Sequence, residues 1–189
     1  MCYRPSWGYS RKEGKFFTSG VTPYGTMTGT TGPRLELYVR SLLPDGAHGR
    51  QEAVIERLER LDAEDEIEGF SVIVWGKQIA PESAGVHTEE GEYILNRVAE
   101  FKQWALSNNV SLESFYQRQA VKNETSERSY NAMVLPVMGL AEYREGELVH
   151  VAPCTKGEDV HTITDRLDRI ERGEPATVDA SADVSILSD

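Results

Sequence analysis

The 189-residue chain carries 31 acidic and 20 basic residues, for a net charge of −11, and 39% of its residues are hydrophobic. This length and composition predict one globular domain with its own apolar core. No apolar run reaches the roughly 20 residues that span a bilayer, and the N-terminus lacks the pattern of a secretory signal. We therefore expect a cytoplasmic protein that has no membrane partner.

The charge is unevenly distributed along the chain. Residues 1–26 carry +3, whereas the chain from Met27 onward has 16 basic and 30 acidic residues, and only four of those basic residues are lysines. Many carboxylates with few strongly hydrated ammonium groups favour a surface adapted to high salt. Such acidity disfavours non-specific binding to nucleic acid, because Lys and Arg must displace the counterions of the phosphates. At high salt both surfaces are screened, and a local Arg cluster could still bind DNA.

The chain divides into three segments by composition. Residues 1–33 are rich in Gly, Thr and Ser without periodicity, which predicts a disordered arm, and Met27 is a possible true start. Residues 34–173 hold the periodic patterns of a single α/β domain. Residues 174–189 are small, polar and acidic and predict a mobile tail.

The first half of the domain has a strand, helix, strand pattern. Apolar residues alternate from Arg34, which predicts a strand, and recur at three- and four-residue spacing over 50–66, which predicts an amphipathic helix. The continuous β-branched and aromatic run of residues 70–79 predicts a strand buried on both faces, with Trp75 in the core. Such a unit favours parallel pairing of its two strands.

A second helix and a hairpin follow. Thr88 is the predicted N-cap of a helix that ends near Asn108, and residues 122–128 resemble an exposed loop. The segments 130–143 and 147–154 predict an antiparallel hairpin around Gly146. A last helix is predicted from Val160, with Gly173 at its end.

This order of elements resembles the thioredoxin-like fold. The predicted fold class is thus α/β, a β-α-β-α-β-β-α three-layer sandwich with a mixed four-stranded sheet. The resemblance implies that Pro136 corresponds to the cis-proline of that family. A proline within a strand-like run also calls, by itself, for an edge, a bulge or a cis bond.

The reactive Cys-x-x-Cys of that family is missing, because residues 41–50, which join the first strand to the first helix, contain no cysteine. Dithiol exchange is therefore excluded. Three polar residues remain in this loop and could hold an anion or a partner's carboxylate. Alternatively they only cap the helix and shape a turn. They are Asp45, His48 and Arg50.

Catalytic and metal sites find little support in the sequence. Cys154 lies among apolar neighbours, where a lone cysteine is usually a small buried hydrophobe. An enzyme that uses Cys154 or His48 is the least favoured hypothesis. The four histidines and two cysteines are scattered, so we expect neither a metal site nor a cofactor.

A second resemblance covers residues 34–172. The phrases RLELYVRSL, RQEAVIERLERL, VWGKQI and VAPC are similar to a group of small haloarchaeal proteins generally identified as helix-turn-helix proteins. That resemblance implies a DNA-binding regulator that reads DNA through its first or its second helix. The candidate residues are Arg50, Arg57 and Arg60 on the first helix and Arg97, Lys102 and Gln103 on the second.

The sequence therefore supports two functional hypotheses. The leading hypothesis is a non-catalytic thioredoxin-like binding or regulatory protein of a halophile, which binds an unknown protein or small anion around the 43–50 loop and Pro136. The alternative is a helix-turn-helix DNA-binding transcription regulator, with a homodimer as a possible assembly.

Overall fold

The computed structural model describes residues 32–42, 48–80, 88–122 and 129–177. The predicted arm, apart from its last two residues, lies outside these ranges, as does the question of a start at Met27. Most of the predicted acidic tail lies outside them too.

A mixed four-stranded sheet forms the centre of the domain, in the order β2-β1-β6-β7. Strand β1 (Arg34–Val39) pairs in parallel with β2 (Gly69–Val74) and antiparallel with β6 (Met138–Arg144). Strand β7 (Glu147–Ala152) pairs antiparallel with β6 and completes the sheet. The predicted mixed sheet is confirmed.

In the described residues, three helices cover both faces of this sheet. Helices α1 (His48–Ala63) and α3 (Ile163–Glu171) pack on the face that carries Leu37, whereas α2 (Glu89–Ser107) packs on the face that carries Tyr38. Alternate residues of β1 point to opposite faces, which is why one strand contributes to both cores. The α/β class and the three-layer arrangement are confirmed.

Side-chain caps fix where helices α2 and α3 begin. Thr88 Oγ1 accepts a hydrogen bond from Gly91 N at 3.1 Å, as its predicted N-cap role requires. Helix α3 begins later than predicted, because Thr162 and Asp165 form a capping box before it. Val160 lies outside the helix and is 54% exposed.

A second, three-stranded sheet was not expected. Its order is β3-β5-β4, where β3 is Gln78–Ile79, β4 is Gln117–Lys122 and β5 is Ser129–Val134. The predicted strands 70–79 and 130–143 are each split between the two sheets. Leu135 lies at the second break, and its N–H donates to Lys77 O at 2.9 Å.

Strand β2 is not buried on both faces, contrary to prediction. It is the edge strand of the main sheet, its residues are half-buried, and Val74 is 50% exposed. Trp75 follows the strand and is core, as predicted. Its ring centroid lies 5.1 Å from that of Tyr38 and 5.8 Å from that of Tyr116.

The predicted hairpin is confirmed, because β6 and β7 join through Glu145 and Gly146, both with positive φ. A short hairpin of β8 (Cys154–Lys156) and β9 (Asp159–His161) follows and was not predicted. Within the described residues the cis peptide bond is Ala152–Pro153. The assignment of a cis bond to Pro136 was therefore wrong.

Candidate nucleic-acid interface

The predicted binding loop before α1 lies mostly outside the described residues, so the structure does not test it as a site. Asp45 lies outside the described residues, and His48 begins α1 but has no described side chain. Arg50 is exposed in the first turn of α1. Pro136 is buried, and its carbonyl accepts a hydrogen bond from Trp75 Nε1 at 3.2 Å, which holds the indole in the core.

Arg57 and Arg60 face α3. Arg57 Nη2 lies 2.5 Å from Asp168 Oδ1 and 3.0 Å from Glu171 Oε2, and Arg60 Nη2 lies 2.6 Å from Glu171 Oε1. These ion pairs join α1 to α3. A DNA phosphate would have to compete with the carboxylates for both guanidinium groups.

The outer face of α1 is acidic. Exposed Glu52, Glu56 and Glu59 line a shallow groove with Leu42 and Ile55. Carboxylates at this density repel phosphates, so this face of α1 is poorly suited to DNA.

Arg97, on the N-terminal half of α2, is also engaged. Its Nη1 lies 2.6 Å from Glu100 Oε2, its Nε donates to Tyr93 Oη at 3.3 Å, and its guanidinium lies over the Tyr143 ring. Burial alone would lower the Arg97 pKa, but the hydrogen bonds to Tyr93 and Glu100 raise it. Arg97 therefore stabilises the packing of α2 against the sheet.

The C-terminal half of α2 is more open. Gln103 is exposed and Lys102 is partly buried. Burial lowers the pKa of Lys102, and the nearby charge of Arg118 lowers it further, while Glu113 opposes the shift. The structure thus brings Lys102, a predicted candidate, together with Arg118 of β4, which was not predicted.

Strands β4 and β5 carry an unusual set of exposed side chains. Gln117, Arg118 and Gln119 are all exposed on β4, and Asn131 is exposed on β5. Neither strand contains an Asp or a Glu. In an acidic chain, these two strands offer amide and cationic hydrogen-bond donors and contain no carboxylate themselves.

Buried charges elsewhere serve the fold. Arg166 and Glu142 form an ion pair in which both side chains are almost fully buried, and Tyr38 Oη donates to buried Glu36 at 2.6 Å. Glu142 is thus not part of the acidic surface. Its position in the centre of β6, opposite His150, makes it an interior residue.

Cys154 is fully buried, and burial raises the pKa of its thiol to about 12, which keeps the thiol protonated near neutral pH. In the parts of the chain that the structure describes, no group of three or more His, Cys, Asp or Glu is placed to hold a metal ion. None of the described helices is long and apolar enough to cross a bilayer.

Comparison with protein families matches residues 27–175 to the family described as a helix-turn-helix domain. The chain belongs to this helix-turn-helix domain family. No match was found among curated proteins or among solved structures. Family membership overturns the leading hypothesis of a thioredoxin-like binding protein and favours the alternative, a DNA-binding protein.

Helices α1 and α2 do not form the contacting pair that the term helix-turn-helix implies. A DNA-reading helix-turn-helix joins two contacting helices by a short turn. Here β2 and β3 separate α1 from α2, and the two helices pack on opposite faces of the main sheet.

Proposed function

We propose that this helix-turn-helix domain protein is a DNA-binding transcription regulator that works in the cytoplasm of a halophile. The observation that carries the proposal is the family match over residues 27–175. The proposal assigns no catalytic role to Cys154, whose thiol is buried and protonated.

The charges of the surface are compatible with this function at high salt. A net charge of −11 repels DNA at low ionic strength, but at about 1 M salt the screening length is about 3 Å, so only groups in close contact interact. Binding then depends on local chemistry. Lys102 and Arg118 lie close together, beside the exposed amides of Gln103, Gln117 and Gln119, which can read base edges.

Fluorescence anisotropy of the purified full chain tests the proposal. The probes are duplex DNA from upstream of the protein's own gene and a scrambled duplex of the same composition, titrated from about 0.1 M to about 2 M salt. We expect tighter binding to the upstream duplex than to the scrambled duplex at one or more salt concentrations. Equal binding to both duplexes, or none at any salt, would overturn the proposal.

A further inference from the structure

We propose that two copies of this chain associate through strand β2, so that their main sheets join edge to edge across a two-fold axis at Val72. This inference concerns assembly and does not depend on DNA binding.

The outer edge of β2 presents unpaired backbone groups. In the described residues β1 pairs with one side of β2, and no strand pairs with the other side. Trp75 N donates to Val39 O at 2.9 Å, so the backbone groups of Trp75 point toward β1. Because these groups alternate in direction along a strand, those of Phe70, Val72 and Val74 point away from β1. A strand edge of this kind is a template for pairing with another chain.

The three outward residues fit a second copy of the same strand. In an antiparallel pair centred on Val72, this residue meets its own counterpart, and Phe70 meets Val74 of the other copy. Each of these is a hydrogen-bonded pair, in which two residues exchange both of their backbone hydrogen bonds. An axis at Ser71 or Ile73 would leave one outward residue of each copy without such a pair within the strand. The axis at Val72 therefore uses the whole edge.

The side chains at this edge also match. Phe70 and Val72 are partly buried and pack against the core beneath α1, and Val74, on the same face by alternation, is 50% exposed. The pairing sets Phe70 beside the exposed Val74 of the other copy. Aromatic and β-branched side chains are favourable neighbours across strands. The contact therefore removes exposed apolar surface from water.

Charge favours a second copy of this chain as the occupant of the edge. Copies with a net charge of −11 meet most readily where neither carries charge, and β2 contains no ionisable residue. The other long edge strands differ, because β4 contains Arg118 and Lys122 and β7 begins at Glu147. Natural sheets usually protect an edge with a charge, a proline or a bulge, and β2 has none of these.

The acidic residues of α1 oppose this contact in dilute buffer. Helix α1 covers the face that carries Phe70 and Val72, and its exposed residues include Glu52, Glu56 and Glu59. At about 1 M salt the screening length is about 3 Å, which leaves little of the repulsion between two copies. The dimer should therefore be tighter at high salt.

Sedimentation equilibrium of the full chain at about 0.1 M and about 2 M KCl tests the assembly. We expect a reversible dimer of twice the 21.1 kDa of one chain, tighter at the higher salt. Val74→Pro removes one outward N–H from each copy and should weaken the dimer by about 5- to 100-fold. Val74→Lys sets a charge beside Phe70 of the other copy and should weaken the dimer by at least about 10-fold. The matched control Val160→Lys adds the same charge at a valine that is 54% exposed and should dimerise as the wild type does.

Cross-linking tests the contact directly. In the proposed register the two Val74 Cα atoms lie about 14 Å apart, because four residues at about 3.4 Å each separate them along the strands. With Cys2→Ser in both variants, a flexible bis-maleimide of that span should join Val74→Cys into dimers at about 2 M KCl and leave Val160→Cys monomeric on a denaturing gel.

Three outcomes would overturn the proposal. The first is a wild type that is monomeric at both salt concentrations. The second is a dimer that Val74→Pro and Val74→Lys, shown to be folded by circular dichroism, weaken no more than Val160→Lys does. The third is a dimer in which Val74→Cys is cross-linked no more than Val160→Cys, which would place the contact away from β2.

Discussion

Arg166 on α3 and Glu142 on β6 form a bidentate ion pair, with Nε to Oε2 at 2.6 Å and Nη2 to Oε1 at 3.1 Å. Arg166 Nη1 also donates to Pro175 O at 3.1 Å, so one guanidinium joins the last helix, the sheet and the segment after the helix. Residues 174–177 are therefore packed against α3, although the sequence predicted a mobile tail from residue 174.

Removal of one partner of this pair should be costly. In Glu142→Ala the Arg166 charge stays buried without its counter-charge, which costs about 3–5 kcal/mol of unfolding free energy. Denaturation in guanidinium chloride, followed by circular dichroism, measures the loss.

Two further variants check the cause of that loss. Arg172→Ala removes an exposed arginine that pairs with the half-buried Glu174 and should change stability little. Replacement of both buried partners, Glu142→Leu with Arg166→Met, should recover most of the stability, because no unpaired charge remains. A loss in Glu142→Ala no larger than in Arg172→Ala would contradict this account.

Gly139 is expected to resist substitution because of Trp75. A Cβ at Gly139 would lie 2.7 Å from Cη2 of that indole, and Tyr38 and Tyr116 pack against the same ring. Gly139→Ala should cost about 1–3 kcal/mol and shift the tryptophan emission. In Gly49→Ala on α1 the new methyl meets nothing within 4 Å, so stability should stay level or rise. Equal losses in both variants would refute the steric explanation.

Local patterns were sufficient for the main sheet and the helices. The alternation in β1, the helical stripe of α1 and the Thr88 cap are each encoded within a few residues, and all three were predicted. The second sheet was missed because Gln117–Lys122 is polar and has no alternation. Its strand state depends on pairing with a distant segment, which no short window of sequence contains.

His150 should make the folded state sensitive to acid. It is buried against Trp104, neither ring nitrogen has a described partner, and burial, aided by the charges of Arg166, His161 and Arg169, lowers its pKa to about 3. An unfolded histidine has a pKa of about 6.5. Between these values the unfolded state binds a proton that the folded state excludes, so stability falls as pH falls, by up to about 1.4 kcal/mol per pH unit.

Comparison with His150→Leu isolates this effect. Leucine fills a similar volume without a titrating group, and the remaining carboxylates contribute equally to both proteins. Unfolding free energies at pH values from about 7 to about 4 should diverge, with the wild type losing more. Parallel pH profiles for the two proteins would show that His150 does not titrate on unfolding.

The candidate site was predictable only in part. Residue type was enough to select Lys102 and Gln103, but the ion pairs of Arg57 and Arg60 arise from the contact of α1 with α3. Arg118 was missed because it lies on a strand, whereas the helix-turn-helix resemblance implies DNA readers on helices. The available signal was a stretch of cations and amides without acids in an acid-rich chain.

Salt should stabilise the fold. A net charge of −11 repels itself in dilute buffer, and about 1 M salt screens that repulsion. We expect the melting temperature to fall steadily as KCl is removed. In the double variant Glu52→Lys/Glu56→Lys, on the exposed face of α1, the net charge rises to −7. Its melting temperature should fall less on desalting, because less repulsion remains to be screened. A wild-type melting temperature that is unchanged by the removal of molar salt would show that the acidic surface does not make the stability of the fold depend on salt.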